Sequence, residues 1–100
     1  VLESKIEAYL ARQVRAAGGE VRKVKWIGRR GAPDRLVMLL SGVFVDGLWS
    51  TSAWVELKRP GGRAEPHQAR EHARMTKMGQ AVVVIDSFEG VDKLLSGDGA

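Results

Sequence analysis

A strand, a helix and a second strand follow one another in the C-terminal half of this chain, and no other feature restricts its fold as much. Ser52 to Arg59 alternates, with Trp54, Glu56 and Lys58 on one face and Val55 and Leu57 on the other. Pro60-Gly61-Gly62 ends that run. Pro66 to Met78 reads as a helix, with proline in its first turn and Gly79 just past its end. Ala81 to Ile85 is a short apolar strand. Two strands joined through a helix pair in parallel, and the connection is right-handed. The chain is therefore expected to build a sheet with at least one parallel pair and a helix lying across it.

The remaining elements attach to that unit. Leu2, Ile6, Leu10 and Val14 recur every four residues, so Ser4 to Ala17 reads as a helix stopped by Gly18-Gly19. Residues 20–27 alternate with mixed polarity on both faces, as an exposed strand does. Gly28 to Pro33 is a loop rich in glycine and arginine. Asp34 to Leu40 is apolar and continuous after its first residues, as for a strand buried on both faces. Ser41-Gly42 and Asp46-Gly47 are turn signals around Val43-Phe44-Val45. Ser87 to Leu95 is a last helix with Ser87 as its cap, and Ser96 to Ala100 reads as a frayed tail. The order is α-β-β-β-α-β-α. It predicts an α/β fold with a mixed central sheet flanked by helices, in a single domain spanning 1–100.

Composition narrows the function classes. There is no cysteine, which excludes disulfides, thiolate zinc sites and a cysteine nucleophile. No stretch approaches the roughly 20 apolar residues of a membrane span, and a soluble, cytoplasmic protein without membrane contact is expected. Lys and Arg number 16 against 12 Asp and Glu, and the excess is not evenly spread. Arg22, Lys23, Lys25, Arg29, Arg30 and Arg35 meet one acid, Asp34, between positions 22 and 35. A basic run is ordinarily a solvated face, but one that surrounds a carboxylate suits contact with phosphate. A chain of 100 residues has little surface with which to wrap a substrate, which favours self-association.

The residues with chemistry fall in three segments. Pro33-Asp34 opens one apolar strand, Glu56 and Lys58 point the same way from another, and Gln68 lies on the following helix. If the Asp34 strand neighbours the Glu56 strand, two carboxylates converge, and such a pair holds a hard cation such as Mg²⁺. Lys58 could then stabilise charge that develops on a phosphoryl group. Taken singly, each residue has a plain explanation. Asp34 could be a turn residue, Glu56 and Lys58 a solvated salt pair, and Gln68 an exposed helix residue. Glu7 stands in Ser4-Lys5-Ile6-Glu7, a capping box, so its first reading is a helix cap. His67 and His72 are five apart and do not form an i, i+4 zinc pair. Trp26, Trp49 and Trp54 could stack on bases, but tryptophan in a small domain is more often core or interface; Trp54 suits packing in part and Trp49 a subunit contact.

Gly31-Ala32-Pro33-Asp34, Val55-Glu56-Leu57-Lys58, Pro60 and Gln68 together resemble the VRR-NUC family, the virus-type replication–repair nucleases of the PD-(D/E)XK superfamily. The likeness spans essentially the whole chain. It implies a restriction-endonuclease-like core and an endonuclease dependent on Mg²⁺ or Mn²⁺. It implies metal held by Asp34, Glu56 and the Leu57 carbonyl, with Lys58 and Gln68 at the reacting phosphate and an acid such as Glu7 facing them from the first helix. Stand-alone relatives are mostly phage and bacterial proteins, several of them homodimers linked to branched DNA such as Holliday junctions. Three positions depart from the family pattern, Arg59 where glycine is frequent and Ala64-Glu65 where Leu-Ser is frequent. Lys25, Arg29, Arg30, Arg35, Arg59 and Arg63 are the expected DNA contacts, and the hairpin around Phe44, Leu48 and Trp49 the expected dimer contact. The rival reading is a basic, non-catalytic nucleic-acid-binding module that retains the nuclease fold. It leaves a carboxylate pair in a basic groove unexplained.

Overall fold

Helix α1 (Glu3–Ala16) forms along the four-residue stripe, and Ile6, Leu10 and Val14 on that stripe are completely buried. It ends in a left-handed glycine: Gly18 has φ +95°, its N–H donates to the Arg15 carbonyl, and the Gly19 N–H reaches back to Val14. The computed structural model describes residues 2–96, and the expected frayed end beyond Ser96 lies outside them. Four strands follow: β1 (Glu20–Lys23), β2 (Arg35–Val45), β3 (Leu48–Leu57) and β4 (Val82–Ile85). Helix α2 (Pro66–Lys77) links β3 to β4, and α3 (Phe88–Leu95) closes the fold, with the Ser87 hydroxyl accepting from the Gly90 N–H.

The sheet runs β1-β2-β3-β4, with β3 and β4 parallel and the other pairs antiparallel. This is the mixed sheet and the α-β-β-β-α-β-α order expected from the sequence. On one face Val37, Leu39, Ala53, Val55, Leu57 and Ile85 meet the apolar stripes of α1 and α3 in a continuous core. The Tyr9 hydroxyl bonds Asp92 at 2.6 Å and its ring packs on Phe88, which ties α1 to α3 at the rim. Alternation turns Trp54, Glu56 and Lys58 to the opposite face, where α2 meets them through Gln68 and His72. Among the described residues no helix is long and apolar enough to cross a membrane.

Four local expectations are corrected. Helix α1 begins at Glu3 behind Leu2, with no side-chain cap, so the Ser4–Glu7 capping box does not form. Strand β1 stops at Lys23; beyond it only the Val24 N–H continues the ladder, donating to the Asp34 carbonyl. Strand β2 is buried on one face only: Leu40 is 88% exposed while Leu39 beside it is 4% exposed. An apolar run therefore marked a strand with an open outer face.

Ser41-Gly42 makes no turn. Strand β2 runs through it as a bulge, with the register to β3 shifting between Met38 and Val43. The reversal occurs at Asp46-Gly47, where both residues have positive φ, +50° and +79°, as a two-residue hairpin requires. Gly42 has φ +94°, and a Cβ there would lie 1.7 Å from the Trp49 indole nitrogen, which donates to the Ser41 carbonyl. The bulge thus exists because Trp49 occupies the glycine's missing side-chain space. Gly42→Ala should lower stability by roughly 2–5 kcal/mol in urea denaturation, combining left-handed strain with overpacking. Gly47→Ala has open space around it and should cost only the strain, about 1–2 kcal/mol.

Candidate active site

Strand register brings the separated acids together. Arg35 pairs with Val55, so Asp34, one residue earlier on the antiparallel strand, stands across from Glu56, one residue later. Both precede or follow an inward-facing partner, so both turn to the outer face. Glu56 is mostly covered, with its side chain 13% exposed, and Asp34 is half exposed. Burial raises the Glu56 carboxyl above the ordinary carboxylate range. The Lys58 ammonium opposes that shift and the Asp34 charge adds to it. The structure therefore holds a covered carboxylate against a second one with which it shares an electrostatic field.

Lys58 completes the face. Its ammonium donates to Gln68 Oε1 at 2.9 Å, and the same oxygen accepts from the Glu65 backbone N–H at 2.8 Å. Gln68 is thus the third residue of a capping box that starts α2, and it fixes Lys58 to the helix end through one atom. Leu57, whose carbonyl was expected to face a metal, lies between Glu56 and Lys58 and pairs with Ile85 of β4. Glu7 makes an ion pair with Arg35, and Arg35 also reaches Asp34 Oδ1 at 2.8 Å. One guanidinium, itself 13% exposed, thereby links the first helix to the site's acid. Arg29 is likewise engaged, by Glu71. Lys25, Arg30, Arg59 and Arg63 have no carboxylate partner among the described residues; Lys25, Arg30, Arg59 and Arg63 are exposed.

Two site residues escaped the sequence reading. His72 is buried, its Nε2 has no hydrogen-bond partner, and that nitrogen lies 3.8 Å from Glu56 Oε1. Burial lowers its pKa, so it is neutral at pH 7. Glu71 is 2% exposed and receives hydrogen bonds from Arg29 and Arg74. The Arg29 bond, followed by Arg74, holds its carboxyl below the usual range against the opposing effect of burial. The available signal was the apolar spacing of α2: Glu71, His72 and Met75 form its buried stripe, and two of the three are ionisable. His67, the other histidine, is half-buried, and its carbonyl lies beneath Gly31.

The aromatic residues are structural around this face. Trp26 and Trp54 meet at 5.1 Å between ring centroids, and the Trp26 N–H donates to the Pro33 carbonyl at 2.8 Å, directly before Asp34. The Trp54 N–H bonds Gln80. At the distant hairpin Leu48 and Trp49 are exposed, whereas Phe44 is half-buried and does not offer the open face its position suggested.

The donor chemistry suits a hard divalent cation. Among the described residues no three His, Cys, Asp or Glu side chains gather as a metal cluster. The available set is two carboxylates and backbone oxygen, which suits an ion that keeps several waters, such as Mg²⁺, and not a closed zinc site.

No family model matches the sequence. "Putative nuclease p44" of Acyrthosiphon pisum secondary endosymbiont phage 1 is 42% identical over 87 residues, which cover 87% of this chain and 85% of the phage protein. A solved structure described as a VRR_NUC domain superposes with a TM-score of 0.78 at 38% identity, covering 98% of this chain and 99% of its own. Sequence and fold agree over nearly the full length of each relative, and the chain belongs to the VRR-NUC family of nuclease domains.

Proposed function

We propose that this chain is a divalent-metal-dependent DNA endonuclease, one catalytic domain with one site, acting on branched or junction DNA. The carrying observation is the covered Glu56 carboxylate, raised in pKa by burial and by Asp34 across the strand pair, with Lys58 on the same face. Two acids kept this close inside a basic protein repel each other and repel phosphate, unless a cation joins them. Asp34, Glu56 and the Leu57 carbonyl would hold Mg²⁺ or Mn²⁺. When bound, such an ion polarises the phosphoryl group and eases deprotonation of a water.

The chain's own groups supply the rest. Lys58 offers its ammonium to charge developing on the phosphoryl oxygens, and Gln68 keeps that ammonium in place. Arg35 limits the repulsion by neutralising Asp34 and Glu7. Lys25, Arg30, Arg59 and Arg63 are free to contact phosphates, which position a duplex without reading its sequence. The exposed Leu40, Leu48 and Trp49 on the hairpin support self-contact there, and a two-fold dimer would present two sites to the paired strands of a junction. The phage relative supports a role in DNA metabolism of an infected bacterial cytoplasm.

Asp34→Ala and Glu56→Gln should abolish cleavage while leaving the fold intact. Lys58→Ala should slow single-turnover cleavage by about 10²–10³ with little change in DNA affinity. Cleavage at wild-type rate by either acid variant would refute the assignment.

A stability measurement tests the same pair without DNA. The folded pKa of Glu56 is raised, so its ionisation costs stability as pH rises through that value. Glu56→Gln should therefore raise the melting temperature at neutral pH, and the gain should vanish below about pH 3, where the carboxyl is protonated in both states. Mg²⁺ should stabilise the wild-type protein and not the variant.

The basic loop is tested by salt. Lys25→Ala with Arg30→Ala should weaken binding to all sequences alike and reduce the salt slope by about 0.9 per lost contact on duplex DNA. An unchanged slope would put the DNA path elsewhere.

A further inference from the structure

The loop that delivers Asp34 is fastened to α2. Arg29 Nε donates to Glu71 Oε2 at 2.9 Å. Gly31 approaches α2 so closely that a Cβ would lie 2.9 Å from the His67 carbonyl oxygen and 3.2 Å from Gln68 Cα. Glu71 is the pivot of this attachment. A carboxylate 2% exposed persists only where its lone pairs are filled. Arg74, one turn along the helix, fills Oε1, while Oε2 faces the loop and takes Arg29. The pair is asymmetric: Glu71 is inside, whereas the Arg29 side chain is 46% exposed. The acid is therefore the fixed element and the loop arginine the element it captures.

The same helix also holds Lys58. Gln68 and Glu71 are three residues apart and share a face of α2. Gln68 fixes the lysine of β3, and Glu71 fixes the loop that ends in Asp34. We propose that Glu71 is a positioning residue of the site, which sets Asp34 against Glu56 and Lys58 by capturing Arg29. Arg29 is then a loop anchor and not a phosphate contact. The inference rests on the reading of Asp34 and Glu56 as metal ligands.

Mn²⁺ binding, followed by electron paramagnetic resonance, tests it in the full chain. Arg29→Ala and Glu71→Gln should each weaken Mn²⁺ by about 10–100-fold, the usual effect of losing a group that orients a ligand. The double variant should be no weaker than the weaker single one, because both changes remove one interaction. Arg74→Ala leaves the loop contact in place and should bind Mn²⁺ as the wild type does. Arg29→Ala should leave the salt slope of DNA binding unchanged. Arg29 is half in solvent, so its variant should fold even if Glu71→Gln does not.

Wild-type Mn²⁺ affinity in Arg29→Ala would overturn the inference, as would a lower salt slope. An Arg74→Ala loss as large as that of Glu71→Gln would also overturn it, since Glu71 would then serve helix stability. Amide exchange across residues 28–34 separates the inference from the metal reading. A wild-type protein that binds no Mn²⁺ would refute the metal reading, whereas unchanged exchange in Arg29→Ala would refute the clamp.

Discussion

The antiparallel register of β2 on β3 is the constraint on which the site depends. With Arg35 opposite Val55, Asp34 and Glu56 fall across from each other on the outer face. A slip of one residue would send one acid into the apolar layer of Val37, Val55 and Ile85, where a charge is costly. The same layer therefore fixes the fold and the acid pair at once. The hairpin turn at Asp46-Gly47 sets the register from one end, and the Trp49-filled bulge at Gly42 absorbs the mismatch before it reaches the site.

Helix α2 adds the second constraint. Its buried stripe is not apolar: Glu71 and His72 lie there beside Met75. Polar groups in that position cost stability unless they are paired, and pairing makes the helix a set of fixed points. Gln68 engages Lys58, Glu71 engages Arg29, and His72 stands beside Glu56. The unpartnered His72 Nε2 is the exception, buried beside the Glu56 carboxylate, whose pKa burial raises. Basic residues divide by the same logic. Arg29 pairs with Glu71 and Arg35 with Glu7 and Asp34, while Lys25 and Arg30 are exposed with no carboxylate partner among the described residues.

Much of this was legible from residues alone. Alternation in β3 separated Glu56 and Lys58 from Val55 and Leu57, and the strand–helix–strand order required β4 to pair with β3 in parallel, as it does. Pro33-Asp34 before an apolar run identified the start of β2. The rest depended on packing that no local pattern encodes. Ser41-Gly42 has the composition of a turn, yet Trp49, eight residues away from Ser41, stabilises it as a bulge. Glu7 fits a capping box, but Arg35, distant in sequence, takes its carboxylate, and α1 starts two residues earlier than the box needs. Glu71 and His72 take their partners, Arg29 and Glu56, from a loop and a strand, which no pattern within the helix encodes.

If the Asp34–Glu56 pair serves as proposed, cleavage of DNA by this fold requires a divalent cation. The most direct measurement incubates the pure protein with end-labelled four-way junction and linear duplex DNA, with Mg²⁺ and with EDTA. Internal cuts in the junction with Mg²⁺, slower cutting of the linear duplex, and none with EDTA are expected. Binding of both DNAs without cleavage under Mg²⁺ or Mn²⁺, or cleavage that persists in EDTA, would contradict it.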